Sequence, residues 1–372
     1  MLSFKVADIK SIVGELKFRT KHGRALAASL MLASQLLAPA HAQLAGLPND
    51  PLFVSGQQWS LPLMQVPSVW SRCSGRGIKV AILADGVDGN SPDLIGKVSQ
   101  GGSNRVPGQF GYGTNMALLI AGTANNGFGG TGIAPDASIL DVQVLQASAT
   151  PNPDTVLQGI QLAQQQGARI IVLAFTREFY EEFANQTEYN AVNNSLKDFH
   201  DNHNGLVFMS AGDGHTRTNS AQRLDHINLI SGFDRMLGLG NSNTGTNITM
   251  SGNRTGPGWY EDTNGTALNS SMYAAAELAG VAALIWSANL SASNLQVENA
   301  LKNTAANSTP PTAGDPHPWN PNYGFGFPNA NAALNTLPAS APWPRPYSTK
   351  KCPIPDGCKI QYQRNIPQIN LH

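Results

Sequence analysis

From Gly77 onward, short apolar runs alternate with longer stretches whose apolar residues recur at helical spacing. Lys79 to Leu83 (KVAIL), Ala137 to Leu145, Arg169 to Phe175, Gly205 to Ser210 (GLVFMS) and Ile227 to Ser231 are brief and rich in branched residues. Gly or polar residues bound them, which predicts buried strands. Asp154 to Gln166, Asn185 to His200 and Asn294 to Asn303 read as helices. Strands and helices alternating at these lengths predict an α/β fold, a parallel sheet covered by helices on both faces. One stretch differs from the rest: Ser270 to Ser287 (SSMYAAAELAGVAALIWS) is apolar on every side. That pattern predicts a buried central helix over residues 271–287, because a helix without a polar face has no side to give to water. Its apolar run of about 15 residues is too short for a bilayer and contains Glu277. The polar loop from Asp262 to Ser271 brings hydroxyls and backbone N–H groups to the helix start, where an anion or a nucleophile would sit.

The two ends of the chain have other patterns. Residues up to Arg24 are rich in Lys and Arg, Ala25 to Ala38 are apolar, and Ala40-His41-Ala42 fits an A-x-A cleavage site before Gln43. Residues 1–42 are therefore expected to be a secretory signal peptide, with no membrane span after its removal. Beyond Thr336 prolines dominate, and Cys352 and Cys358 enclose a Pro-Ile-Pro-Asp-Gly turn. Residues 336–372 read as an extended tail, and in an exported protein a local disulfide between Cys352 and Cys358 is expected. Cys73 is left over, and the spacing of the three cysteines offers no metal site.

Charge narrows the partners. Lys+Arg and Asp+Glu number 24 each, so no overall field draws in nucleic acid. Charged residues make up only 13% of the chain, against roughly 25% in an average soluble domain, a style common in exported proteins. A peptide or protein ligand remains the expected partner class. The oligomeric state has no signature in the sequence.

Four segments carry a resemblance. Ser270 to Leu284 follows G-T-S-[MF]-A-x-P-H-V-A-G-x-A-A-L; Val80 to Leu94 follows V-A-V-I-D-[ST]-G-[IV]-D-x-x-H-P-D-L. Tyr112-Gly-Thr-Asn-Met-Ala follows H-G-T-H-V-A, and Met209-Ser-Ala-Gly-Asp-Gly214 follows A-A-A-G-N-x-G. Ala124 to Ala137 matches N-N-x-x-G-x-x-G-[VI]-A-P-x-A closely and holds the register between them, and Tyr323 to Ala330 resembles Y-G-x-G-x-x-N-A. These motifs resemble the subtilisin-like serine proteases over about residues 48–335, within a domain expected to span 43–335. The resemblance implies a subtilisin-like three-layer fold with a catalytic Ser-His-Asp triad at the end of the buried helix.

The catalytic residue types are missing from that register. The triad aspartate's position is Ala84, the histidine's Tyr112 and the nucleophile's Met272; Ala276 and Glu277 stand where the family has proline and histidine. At the oxyanion asparagine's position stands Asp213, whose carboxylate accepts hydrogen bonds where the amide would donate. The strand that lines the family's substrate cleft reads Ile171 to Phe175 here. Leu173 and Ala174 are expected to face substrate, and Phe175 to fill the space a glycine leaves for its backbone.

Two readings follow. In one, the chain is a pseudoprotease with a binding or structural role, and its polar residues fill the old cleft and hydrogen-bond one another. In the other, a displaced set of Ser271, Asp85 or Asp213, and His215 restores hydrolysis. Strand alternation would turn Asp85 to the opposite face from Ala84. Asp213 also echoes the sedolisins, a related Ser-Glu-Asp family with aspartate at the oxyanion position. That family needs acids on the helix after residue 112, and Tyr112 to Thr123 has none. No cofactor is expected, and the calcium that many relatives hold in loops has no readable ligand set here.

Overall fold

A computed structural model of the chain describes residues 47–101, 111–145, 151–177, 186–214, 217–218, 225–233, 244–245, 250–253, 255–256, 268–305 and 324–338. The signal peptide, His215 and the tail with Cys352 and Cys358 lie outside the described residues. Two short helices, α1 (Pro51–Val54) and α2 (Ser60–Leu63), lead in to β1 (Lys79–Ala84) and β2 (Val98–Gln100). Next come α3 (Tyr112–Ala121), β3 (Ser138–Gln143), α4 (Pro153–Gln165), β4 (Ile170–Thr176), α5 (Gln186–Asp201) and β5 (Leu206–Ser210). The second half holds β6 (Arg217–Thr218), β7 (Asn228–Phe233), β8 (Thr244–Gly245), β9 (Met250–Asn253), β10 (Thr255–Gly256) and β11 (Leu268–Asn269). Helices α6 (Ser271–Trp286), α7 (Asn294–Thr304) and α8 (Ala330–Thr336) complete the fold.

Seven strands form one sheet in the order β2-β3-β1-β4-β5-β7-β9, and every neighbouring pair is parallel. Buried β1, β4 and β5 read as unbroken apolar runs because both of their faces are covered. Helices α4 and α5 pack on each other and on β1, β3 and β5, while α6 packs on α3 and along β4, β5, β7 and β9. The fold is the expected α/β three-layer arrangement.

Strand β1 shows how alternation assigns its faces. Leu83 points to α4, where its Cδ2 is 3.4 Å from the place a Cβ would occupy on Gly159. Ala84 points the other way, and its Cβ is 3.0 Å from the corresponding place on Gly113 of α3. A side chain at Gly113 would also lie 2.4 Å from the Gly86 carbonyl, so only glycine lets α3 approach the end of β1.

Helix α6 is the core of the molecule. Fifteen of its residues are buried, Trp286 completely, and the exception is Met272. The helix ends at Trp286, with Ser287 as its C-cap. Fully burying an aliphatic side chain contributes about 1.5–3 kcal/mol, so this run outweighs any single polar contact at its ends. Glu277, the one carboxylate along it, is buried and accepts a 2.6 Å bond from Ser60 Oγ of α2. Helix α8 and the Asn289 Nδ2 to Pro338 carbonyl bond (2.8 Å) carry packed structure three residues beyond position 335, the expected domain end.

Candidate functional site

Two helices of this fold begin at one place, and each is buried except for one residue in its first turn. On α3 every residue but Tyr112 is buried; on α6 every residue but Met272 is. Those are the positions at which the family's motifs carry histidine and nucleophile. Ala84, fully buried at the C-terminal end of β1, faces the start of α3. In a parallel sheet, ligands and chemistry collect at the C-terminal ends of strands. The three register positions therefore occupy the right part of the fold and present a methyl, a phenol and a thioether, with no nucleophile–base pair among them.

The start of α6 is held by Asp213. Strand β5 ends at Ser210, and Gly212 (φ +97°) turns the chain so that Asp213 faces the helix. Its carboxylate accepts the Ser271 N–H at 3.0 and 3.1 Å and the Ser270 hydroxyl at 2.8 Å. Ser270, the extended N-cap of α6, in turn accepts the Met272 N–H at 3.2 Å. A carboxylate on the first donors of a helix also gains from the helix dipole.

The displaced set does not assemble around Ser271. Its side chain is fully buried and its Oγ is bonded to Ser210 Oγ, which also takes the Gly212 N–H at 2.9 Å. A hydroxyl enclosed in that way has no path to a substrate carbonyl.

Asp85 departs from the alternation argument. Strand β1 ends at Ala84, so the rule that successive side chains point to opposite faces stops one residue early. The buried Asp85 carboxylate instead turns to the start of α3, where Oδ1 accepts the Gly113 N–H at 2.9 Å. Burial first, and then the Asp85 charge, push the Tyr112 phenol above its ordinary pKa. Tyr273 is buried and shifted upward in the same way, chiefly by desolvation, against a hydrogen bond from Asn115. Both phenols are therefore neutral near pH 7 and poor general bases.

Leu173, Ala174 and Phe175 are also placed differently from the open-cleft expectation. They are 0, 2 and 2% exposed, and the β4–β5 register shifts between Leu173 and Thr176. The irregularity carries the Phe175 ring into the hydrophobic core and leaves a substrate chain no accessible surface on these three residues.

Four further residues at this centre escaped the sequence reading: Ser210, Ser270, Asn115 and Tyr273. Ser210 and Asn115 occupy the second alanine of A-A-A-G-N and the second histidine of H-G-T-H, so the motif register marked them as departures. Their partners lie far along the chain, and that pairing has no local signal. Among the described residues no group of three or more His, Cys, Asp or Glu side chains is placed to hold a metal ion. No helix among them is long and apolar enough to cross a membrane.

A parallel α/β sheet crossed by a buried helix, with chemistry-bearing positions at that helix's first turn, defines the subtilisin-like class of serine protease folds. The subtilase family profile (Peptidase_S8) matches residues 75–326, and the chain belongs to that family. Thermitase of Thermoactinomyces vulgaris is 33% identical over 270 residues, 69% of this chain and 91% of thermitase. Subtilisin Savinase of Lederbergia lenta is 30% identical over 284 residues, 74% of this chain and 97% of its own. Among solved structures, a lanthipeptide protease superposes with a TM-score of 0.60 at 20% identity. That superposition covers 78% of this chain and 98% of the protease, a likeness of fold alone.

Proposed function

We propose that this chain is an exported subtilisin-like serine protease homologue that hydrolyses no peptide bonds and serves a binding or structural role. One observation carries the reading. The carboxylate of Asp213 occupies the N-terminal donors of α6, at the position where the family's motif supplies an oxyanion donor. Acyl transfer develops negative charge at that point, and loss of a single donor costs roughly 10²–10³ in rate. Here the donor is replaced by an acceptor of like charge, and the adjoining Ala84, Tyr112 and Met272 supply neither nucleophile nor base. Export is supported by the arrangement of residues 1–42 and by the low charge content. The expected ligand is a peptide or protein that meets the molecule without being cut.

The test is direct. Purified protein incubated with casein and with a fluorophosphonate probe should show hydrolysis at background and no labelled serine. Stoichiometric labelling of Ser270 or Ser271 would sink the proposal. Export is checked separately by N-terminal sequencing of the mature product, which should begin at or near Gln43.

A further inference from the structure

Asp213 does more than remove a donor. Its two oxygens take the Ser271 N–H and the Ser270 hydroxyl, and Ser270 Oγ takes the Met272 N–H. Each of the polar hydrogens at the first turn of α6 thus already points at an acceptor within the chain. Backbone N–H groups at the start of a long buried helix are a ready seat for an anion. In this molecule the anion is covalently attached.

We propose that Asp213 is a resident anion: an autoinhibitory contact that fills the oxyanion seat from within and shuts it to external tetrahedral anions. The proposal deepens the inert reading above and rests on it only for the register that places Asp213. Three features support an occupied seat over a merely polar corner. The carboxylate is bound through both oxygens, at 3.0 and 3.1 Å, to one N–H, so it is aligned with the helix start. Gly212 at φ +97° gives the loop a conformation that other residues adopt only under strain, and that conformation delivers Asp213 to the helix. Ser210 holds the loop from below, through the Gly212 N–H and the buried Ser271 hydroxyl. The loop, its hinge and its anchor are all built to hold one carboxylate at one helix end.

The experiment measures anion binding and not hydrolysis, so its failure is distinguishable from failure of the inert reading. Thermal unfolding of wild type, Asp213→Asn and Asp213→Ala is followed against sulfate and against phenylboronic acid. Chloride holds ionic strength constant in the sulfate series. Wild type should show no specific rise in unfolding midpoint with either anion. Both variants should unfold more readily in chloride, with the unfolding equilibrium shifted by about tenfold or more, the worth of one charge-assisted bond. Both should regain midpoint with sulfate or phenylboronic acid, binding at least about tenfold tighter than wild type.

Two results overturn the proposal. One is wild type that binds either anion as tightly as the variants, for then the seat is open. The other is a folded variant that gains no anion dependence, for then the donors do not face a usable space. If neither variant folds, wild type alone decides: a specific sulfate or phenylboronate response in it refutes an occupied seat, and its absence supports one.

Discussion

Two aspartates in this molecule do the same thing in different places. Asp50, fully buried ahead of α1, accepts three backbone N–H groups from one turn: Asn125 at 2.9 Å, Asn126 at 3.1 Å and Gly127 at 3.2 Å. Asp213, half-buried, accepts the first N–H of α6 and the hydroxyl beside it. In both, a carboxylate answers donors that have no backbone partner. Asp50 closes a loop and has no bearing on chemistry. Asp213 closes the donors that peptide hydrolysis in this fold requires. A stabilising contact and a catalytic one draw on the same few N–H groups, and here the contact has taken them.

The comparison can be broken most forcefully through activity. Placing Asp at Ala84, His at Tyr112 and Ser at Met272 restores the triad's residue types, yet this triple variant should cut casein poorly because Asp213 keeps its seat. Adding Asp213→Asn should raise peptide cleavage by at least about 10², the worth of one oxyanion donor. Efficient casein cleavage by the triple variant alone would mean that the carboxylate yields to substrate.

Stability sharpens the contrast. Asp50→Ala leaves three N–H groups buried without an acceptor and should cost about 3–5 kcal/mol in urea unfolding. Asp213→Ala lies nearer to water, which can replace the lost acceptor, and should cost only about 1–2 kcal/mol. Equal losses would show that Asp213 is as deeply structural as Asp50.

The smallest effect is in pH, and it lies away from both aspartates. His226 is buried beside Asn193, and burial first, then the charges of His200 and Lys197, lower its pKa from 6.5 to about 4. The unfolded chain therefore binds a proton between those values that the folded chain refuses, so His226 makes stability fall as pH drops from 6.5 to 4. His200 acts oppositely: its partners Glu298 and Asp201 raise its pKa, so its contribution is complete below 6.5 and is lost as pH rises through the raised value. Replacing His226 by Gln should flatten the acid limb of a stability–pH curve and leave the alkaline limb alone. An unchanged acid limb would refute the assignment.

Much of this architecture was legible before any coordinates, for a physical reason. Strands β1, β4 and β5 and helix α6 are buried on all sides, so their sequences carry long apolar signals. Strand β2 is three residues long and largely exposed, and nothing in Val98-Ser-Gln distinguishes it from loop. The positions Ala84, Tyr112 and Met272 followed from motif register, and the fold brings them to neighbouring element ends. The direction of Asp85 did not, because alternation holds only while the strand lasts. The Ser210–Ser271 bond joins residues 61 apart, and that is knowledge only the folded chain contains.

The bond between Ser60 and Glu277 spans 217 residues, and Met64 waits longer still, for the Ala330 N–H that its carbonyl accepts at 2.8 Å. A ribosome adding about 5–20 residues per second needs about 10–40 s to travel from the first of these partners to the second. During that interval α2 has been made and has nothing to fasten to. Asp50 can close on Asn125 far sooner. The leading edge of the domain is thus the first part synthesised and among the last to be secured, which makes it the natural point of capture for a chaperone or a translocation machine acting on the growing chain.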